Sequence, residues 1–192
     1  MKRALLILSS ALFFSSCSSD NKAEKKEVAA EPQVKSAVKI DPREQQLEIM
    51  KNASTTGLDE LQKMLPASLA EIKRSKFSMT SNLGYATAQA DYEKNSKTYI
   101  HLVLYDCAGA QGADLYNKSF LSDLDKSIDN EAGYTKTIAL GSGKAIEKYE
   151  AATKVTTISF LANDKILFVL AGKNIPAETL KDAIHNMNVK IS

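Results

Sequence analysis

From residue 41 onward the spacing of apolar and polar positions divides the chain into helical and extended stretches. Residues 41–52 show helical spacing, with Leu47 and Met50 on one face. Asp41 can cap this helix, Pro42 suits its first turn, and Glu44 stands three residues after the cap. A second short helix carries Leu58, Leu61 and Leu65 at i, i+3 and i+7, with Pro66 just beyond it. Residues 67–83 have no clean period.

After Gly84 the pattern alternates. Residues 85–92 and 97–106 read as two strands joined by a turn at 93–96. In the second strand Ile100, Leu102 and Leu104 point one way, and Tyr99, His101, Val103 and Tyr105 the other. The first set makes a core face. The second is aromatic and half polar, so it is either covered by a helix or open to a partner. Residues 107–112 read as a loop and 113–129 as a helix with Tyr116, Phe120, Leu124 and Ile128 on one stripe, closed by Gly133. Residues 134–140 and 144–150 are shorter strands around Gly141-Ser142-Gly143. Residues 155–161 and 165–171 form a hairpin around the Ala162-Asn163-Asp164 turn. The second of this pair is apolar on both faces, as in a central strand. Pro176 opens a last helix with Leu180, Ala183, Ile184 and Met187 as its seam. This order predicts an α+β domain over residues 40–192, a mainly antiparallel six-stranded sheet with helices packed against it.

The first forty residues follow a different logic. Lys2 and Arg3 precede an apolar run from Ala4 to Phe14, and Ser15 and Ser16 lead to Cys17. Charged, apolar, then small is the order of a secretory signal peptide, and the run is too short to span a bilayer. Phe14-Ser15-Ser16-Cys17 resembles the lipobox of bacterial lipoproteins, although Phe14 stands where Leu is commoner. That resemblance implies cleavage after a signal peptide at 1–16 and lipid on Cys17. An ordinary secreted protein cut near Ser16 is the plainer alternative. Residues 17–39 are polar, mixed in charge and without aromatics, the composition of a flexible tether.

Charge narrows the partners. The chain carries +2, and without Lys2 and Arg3 its 23 basic side chains face 23 acidic ones. Near-neutrality argues against nucleic acid, which needs a basic patch. The expected partners are the membrane through the lipid on Cys17, and an envelope protein or an apolar ligand. With Cys17 acylated, Cys107 has no disulfide partner, so burial must supply the stability.

No catalytic grouping stands out. Gly141-Ser142-Gly143-Lys144 resembles the end of a phosphate-binding loop, but Ile138 and Ala145 occupy the places that need Gly and Ser or Thr. A hairpin turn is the better account. His101 and His185 lack companions at metal-ligand spacing, so no metal and no cofactor is expected. Cys107 with His101 would be a natural nucleophile pair, but along an extended segment they lie roughly 20 Å apart at about 3.3 Å per residue. Cys107 with His185 as base is the remaining thiol-enzyme reading, and a small buried residue is the commoner role for such a cysteine. Asp123, Asp125, Asp129 and Glu131 read as a solvated helix face and its end. Four of the seven tyrosines (Tyr85, Tyr92, Tyr99 and Tyr105) fall on the first hairpin. Tyrosine favours interfaces and also ordinary sheet packing. The candidate interaction face is therefore Tyr99, His101 and Tyr105.

Leu65-Pro66, Ala88 to Tyr92, the strand ending in Asp106, Gly133-Tyr134, and Phe160-Leu161 to Lys173-Asn174 resemble landmarks of uncharacterised secreted and lipid-anchored bacterial domains. The element order is also similar to the Mog1/PsbP α/β sandwich, whose members are mostly binding modules without catalytic residues. The expected function is a lipid-anchored, non-enzymatic binding module of the cell envelope, placed at the outer membrane on its periplasmic or surface face. The alternative is a carrier of an apolar ligand or lipid, with a thiol-dependent enzyme as a third reading.

Overall fold

The structure is a computed structural model describing residues 41–81 and 83–192. The expected signal peptide, Cys17 and the tether lie outside the described residues. The elements run α1 (Pro42–Asn52), α2 (Leu58–Lys63), β1 (Ser68–Leu69), β2 (Ile72–Thr80), β3 (Thr87–Asn95), β4 (Thr98–Asp106) and α3 (Gly109–Tyr116). One π-helical turn, Asn117–Leu121, prolongs α3. Then come β5 (Ile128–Asn130), β6 (Gly133–Leu140), β7 (Gly143–Glu150), β8 (Val155–Ala162), β9 (Ile166–Lys173) and α4 (Ala177–His185).

All nine strands join one antiparallel sheet in the order β1-β2-β3-β4-β9-β8-β7-β6-β5. The chain lays down β1 to β4 from one edge, crosses by α3 to the other edge, and returns through β5 to β9. The last strand thus zips the two halves together. That explains why β9 is apolar on both faces: it lies in the middle and meets helices on either side.

The two sheet faces bury separate clusters. On the first, Ala88, Ala90 and Tyr92 of β3, Ile100, Leu102 and Leu104 of β4, Ile158 and Phe160 of β8, and Phe168 and Leu170 of β9 meet Leu61 and Leu65 near α2 and Leu180, Ile184 and Met187 around α4. Phe160 and Phe168, cross-strand partners, stack at 5.1 Å. On the second face Met50 of α1 and Ala113, Tyr116, Phe120 and Leu121 of α3 and its π turn cover Cys107, Ile146, Leu161 and Leu167.

Three expectations need correction. The sheet has nine strands rather than six: β1 and β2 occupy residues 67–83, where no period was visible, and β5 lies within the stretch read as helix. Past its two-residue pairing with the edge strand β1, β2 is open along its outer side among the described residues and exposes residues on both faces, so alternation has no burial to record. The helix expected over 113–129 begins at Gly109 and ends its π turn at Leu121; Ile128 belongs to β5 and is 49% exposed. Asp123 and Asp125 are not merely solvated. Asp123 pairs with Lys126 (2.8 Å) and Lys148, and Asp125 with Arg43 and with Lys144 (3.2 Å). These hydrogen bonds, led by Lys126 for Asp123 and Lys144 for Asp125, hold both carboxyls below the ordinary aspartate value.

Other details followed the pattern. Asp41 Oδ1 accepts the Arg43 N–H at 2.9 Å and caps α1. Asn163 and Asp164 adopt the positive φ values of 50° and 61° that a tight hairpin requires of its central residues. The Gly141-Ser142-Gly143 turn serves the chain end. Ser142 Oγ donates to Ile191 O at 2.7 Å, and a Cβ on Gly143 would lie 2.1 Å from Ser192 O. The glycine is there for close approach of the C-terminal backbone, which accounts for the loop without any phosphate.

Asp106, wholly buried, ties the loop after α1 to the loop before α3. Its carboxylate accepts the Thr56 N–H and, at 3.1 Å, the Ala108 N–H. Beside it the Thr56 Oγ1 is buried with no partner among the described residues. A buried hydroxyl without a hydrogen bond carries a desolvation cost and no return. Thr56→Val is therefore expected to be neutral or to stabilise by about 1 kcal/mol in urea unfolding, and a loss above that would show that the hydroxyl is bonded.

Candidate functional site

The helices on the second face cover only one end of the sheet. Cross-strand register makes this visible. The row Tyr105–Leu167–Leu161 lies in the second cluster, with Leu161 and Leu167 buried and Tyr105 packed at its margin. Two residues along each strand come Val103, which is buried, and the partly exposed Val169 and Ser159; beyond them the rows His101–Ala171–Thr157 and Tyr99–Lys173–Val155 are all partly exposed. On one side these rows continue to Asp91 and Glu93 of β3, and on the other to Lys148 and Glu150 of β7. A sheet face that is sealed at one end by α3 is thus open at the other.

The three residues of the candidate face part company here. Tyr105 packs edge-on against Tyr85, ring centroids 6.2 Å apart, and burial pushes its phenol pKa up, with Tyr85 adding to the shift. It belongs to the covered end. Tyr99 and His101 lie at the open end. His101 Nδ1 meets Asp91 Oδ1 at 2.6 Å, and its side chain remains 38% exposed. This contact between cross-strand partners sets the imidazole plane and leaves Nε2 without a partner among the described residues.

The thiol pair does not form. Cys107 is fully buried in the second cluster, under α1 and α3, and burial pushes its thiol up to about 12. His185 is exposed at the end of α4, which packs into the first cluster on the opposite side of the sheet. His101 sits on β4 with its ring bound to Asp91. Cys107 is expected to resist maleimide in the native protein and to react fully once unfolded. Labelling at the rate of a free thiol would show that the helical cover opens. Among the described residues no group of three or more His, Cys, Asp or Glu is placed to hold a metal ion, and no helix is long and apolar enough to cross a membrane.

A second constellation, on the first face, escaped the sequence. Glu147 of β7 is 1% exposed, yet Tyr134 donates to its Oε1 at 2.7 Å and Lys136 Nζ lies 3.0 Å from the same oxygen. Lys181 of α4 approaches Oε2 at 2.9 Å, in an alignment poor for a hydrogen bond, so the contact is a charge pair; it also binds Glu178 at 2.7 Å. Burial by itself would raise the Glu147 pKa. Its contacts with Lys181, Tyr134 and Lys136 outweigh that and hold it below the ordinary glutamate value. Conversely, burial and the bond to Glu147 push Tyr134 up to about 12. One carboxylate thereby locks α4 to β6 and β7. Nothing in the sequence distinguishes a buried strand glutamate from a solvated one; only the register that puts Tyr134, Lys136 and Lys181 around it does.

Space between sheet and helices is filled by the stacked phenylalanines and the leucines of the first cluster. The clefts bordering α4 lie instead at its rim, and polar side chains such as Glu71, Asp182 and Asn186 line one of them, about 420 Å³ in volume. No protein-family model, curated protein or solved structure matches the chain.

Proposed function

We propose that the chain is a lipid-anchored protein of the bacterial cell envelope, held at the outer membrane through Cys17, that acts as a non-enzymatic binding module. The open end of the second sheet face, around Tyr99 and His101, is the surface that meets its protein partner. One observation carries this reading: β4 buries Ile100, Leu102 and Leu104 completely on one side while its other side leaves Tyr99 and His101 half exposed. Aromatic rings with polar tips on a rigid strand lose little entropy on contact and suit an interface. The sequence of the leader supports the anchor, and the burial of Cys107 away from His185 supports the non-enzymatic reading.

The test compares full-length protein with its Tyr99→Ser and Cys17→Ser variants. Tyr99→Ser is chosen over a change at Tyr105 because Tyr105 also packs against Tyr85. The expected outcome is that Tyr99→Ser keeps its unfolding midpoint and its membrane association but loses a partner that the unaltered protein retains. Cys17→Ser should move the protein from the membrane fraction to the soluble one. Unchanged partner retention by Tyr99→Ser, or a Cys17→Ser protein that stays with membranes, would overturn the corresponding half of the proposal.

A further inference from the structure

On the first face one cross-strand row runs Tyr134 (β6), Tyr149 (β7), Thr156 (β8), Gly172 (β9) and Ile100 (β4). The start of α4 rests on this row at Gly172, where an added Cβ would lie 3.0 Å from both Ile175 and Leu180. Between that seat and the two tyrosines a cleft of about 470 Å³ opens beside the row. Thr156 lines it between the tyrosines and the helix. The tilted ring pair, centroids 5.7 Å apart, walls one side, and Ile175, Pro176 and Ala177 wall the other.

Among the described residues the one charged side chain that lines the cleft is Lys154; Asn174 also lines it, its amide donating to Lys97 O at 2.6 Å. Thr156 is 96% buried by its neighbours, yet its hydroxyl makes no hydrogen bond to any described residue although the side chain borders open space. Lys154 also lines the cleft and has no acidic partner among the described residues. Pro176, the residue before α4, provides no side-chain cap, so the N–H groups of the first turn lack a capping acceptor. The acid of that turn, Glu178, is engaged with Lys181 and does not line the cleft. Tyr134, its hydroxyl given to Glu147, offers only its ring. An unpartnered hydroxyl, an unpaired ammonium and an uncapped helix start converge beside aromatic rings. We infer that this cleft binds a small ring-bearing oxyanion, whose charged end meets Thr156, Lys154 and the start of α4 while its ring lies against the tyrosine pair. This site is on the opposite side of the sheet from Tyr99 and His101, so it stands or falls independently of the protein-binding face.

Phenyl phosphate is the probe, with inorganic phosphate and phenol as its two halves, titrated into ¹⁵N-labelled full-length protein. The expected result is saturable shifts confined to the amides of residues 154–156, 175 and 177–179, with phenyl phosphate at least tenfold tighter than either half. Thr156→Val, which keeps volume and branching, and Lys154→Asn, which tolerates the left-handed backbone at that position (φ 54°), should each weaken it about fivefold or more without moving the unfolding midpoint. Phosphate binding as tightly as phenyl phosphate would remove the ring from the account. Shifts elsewhere, no saturation, or unchanged affinity in Thr156→Val would overturn the site.

Discussion

Replacing both ammonium groups around Glu147, in Lys136→Met/Lys181→Met, is expected to cost the fold about 3–5 kcal/mol, because it strands a carboxylate that is 1% exposed. Adding Glu147→Leu to that pair should recover most of the loss, since a buried charge cluster exchanged for apolar volume is often near neutral. The pH dependence separates this from simple loss of packing. In the native protein the Glu147 pKa lies below its ordinary 4.5, so the stabilisation is complete above that pH and is lost as the pH falls through the folded value. In the double methionine variant burial acts with much less opposition and raises the pKa, so the penalty is largest at neutral pH and shrinks on acidification. Urea unfolding at pH 7 and pH 4 should therefore show the gap between the two proteins narrowing. A gap that is the same at both pH values would mean that the ammonium groups act through their methylenes alone.

Asp106→Ala is expected to be comparably damaging, about 2–6 kcal/mol, for a different reason. The side chain accepts two backbone N–H groups, Thr56 and Ala108, in a place closed to water, and each stranded donor costs about 1–3 kcal/mol. One of the loops it joins leads out of α1 and the other into α3, so α1 and α3 should loosen together. Asp106→Asn keeps one acceptor oxygen and should fall between. The readout is the rate of Cys107 alkylation alongside the unfolding midpoint. Faster labelling in Asp106→Ala than in Asp106→Asn is expected, and a stability loss without any gain in labelling would place the damage elsewhere.

How far the sequence reveals this architecture depends on how completely each segment is buried. β4 could be read face by face because Ile100, Leu102 and Leu104 are sealed while Tyr99 and His101 are not. β9 announced its central position by being apolar throughout. Strand β2, next to the two-residue edge strand β1, could not be read this way, since IKRSKFSMT exposes residues on both faces and its pairing with β3 rests on backbone bonds. The stripe Tyr116–Phe120 is real and its rings stack at 5.3 Å, but Ile128 continued it only by coincidence of spacing. The turn after Leu121, with Asp125 at φ 67°, breaks the helix before that residue.

The sites were legible to a lesser degree, for a related reason. Proximity along the chain groups Tyr85, Tyr92, Tyr99 and Tyr105. The fold divides that group: the Tyr92 hydroxyl is spent on Pro66 O at 2.8 Å, Tyr85 pairs with Tyr105, and Tyr99 stands apart. The pair that does meet across strands, Tyr134 and Tyr149, is separated by a full hairpin and gives no local signal. Long-range register, which the sequence carries only implicitly, decides which side chains share a site.

The most direct test of the account is photocrosslinking in the native host, with a benzophenone side chain placed at position 99 of the full-length protein and, separately, at position 185. Both positions accept a large side chain at the surface, and they lie on opposite sides of the sheet. The account predicts a discrete adduct with one envelope protein from position 99 and none of that size from position 185. Adducts from position 185 alone, or none from position 99 in a protein that is folded and at the membrane, would contradict it.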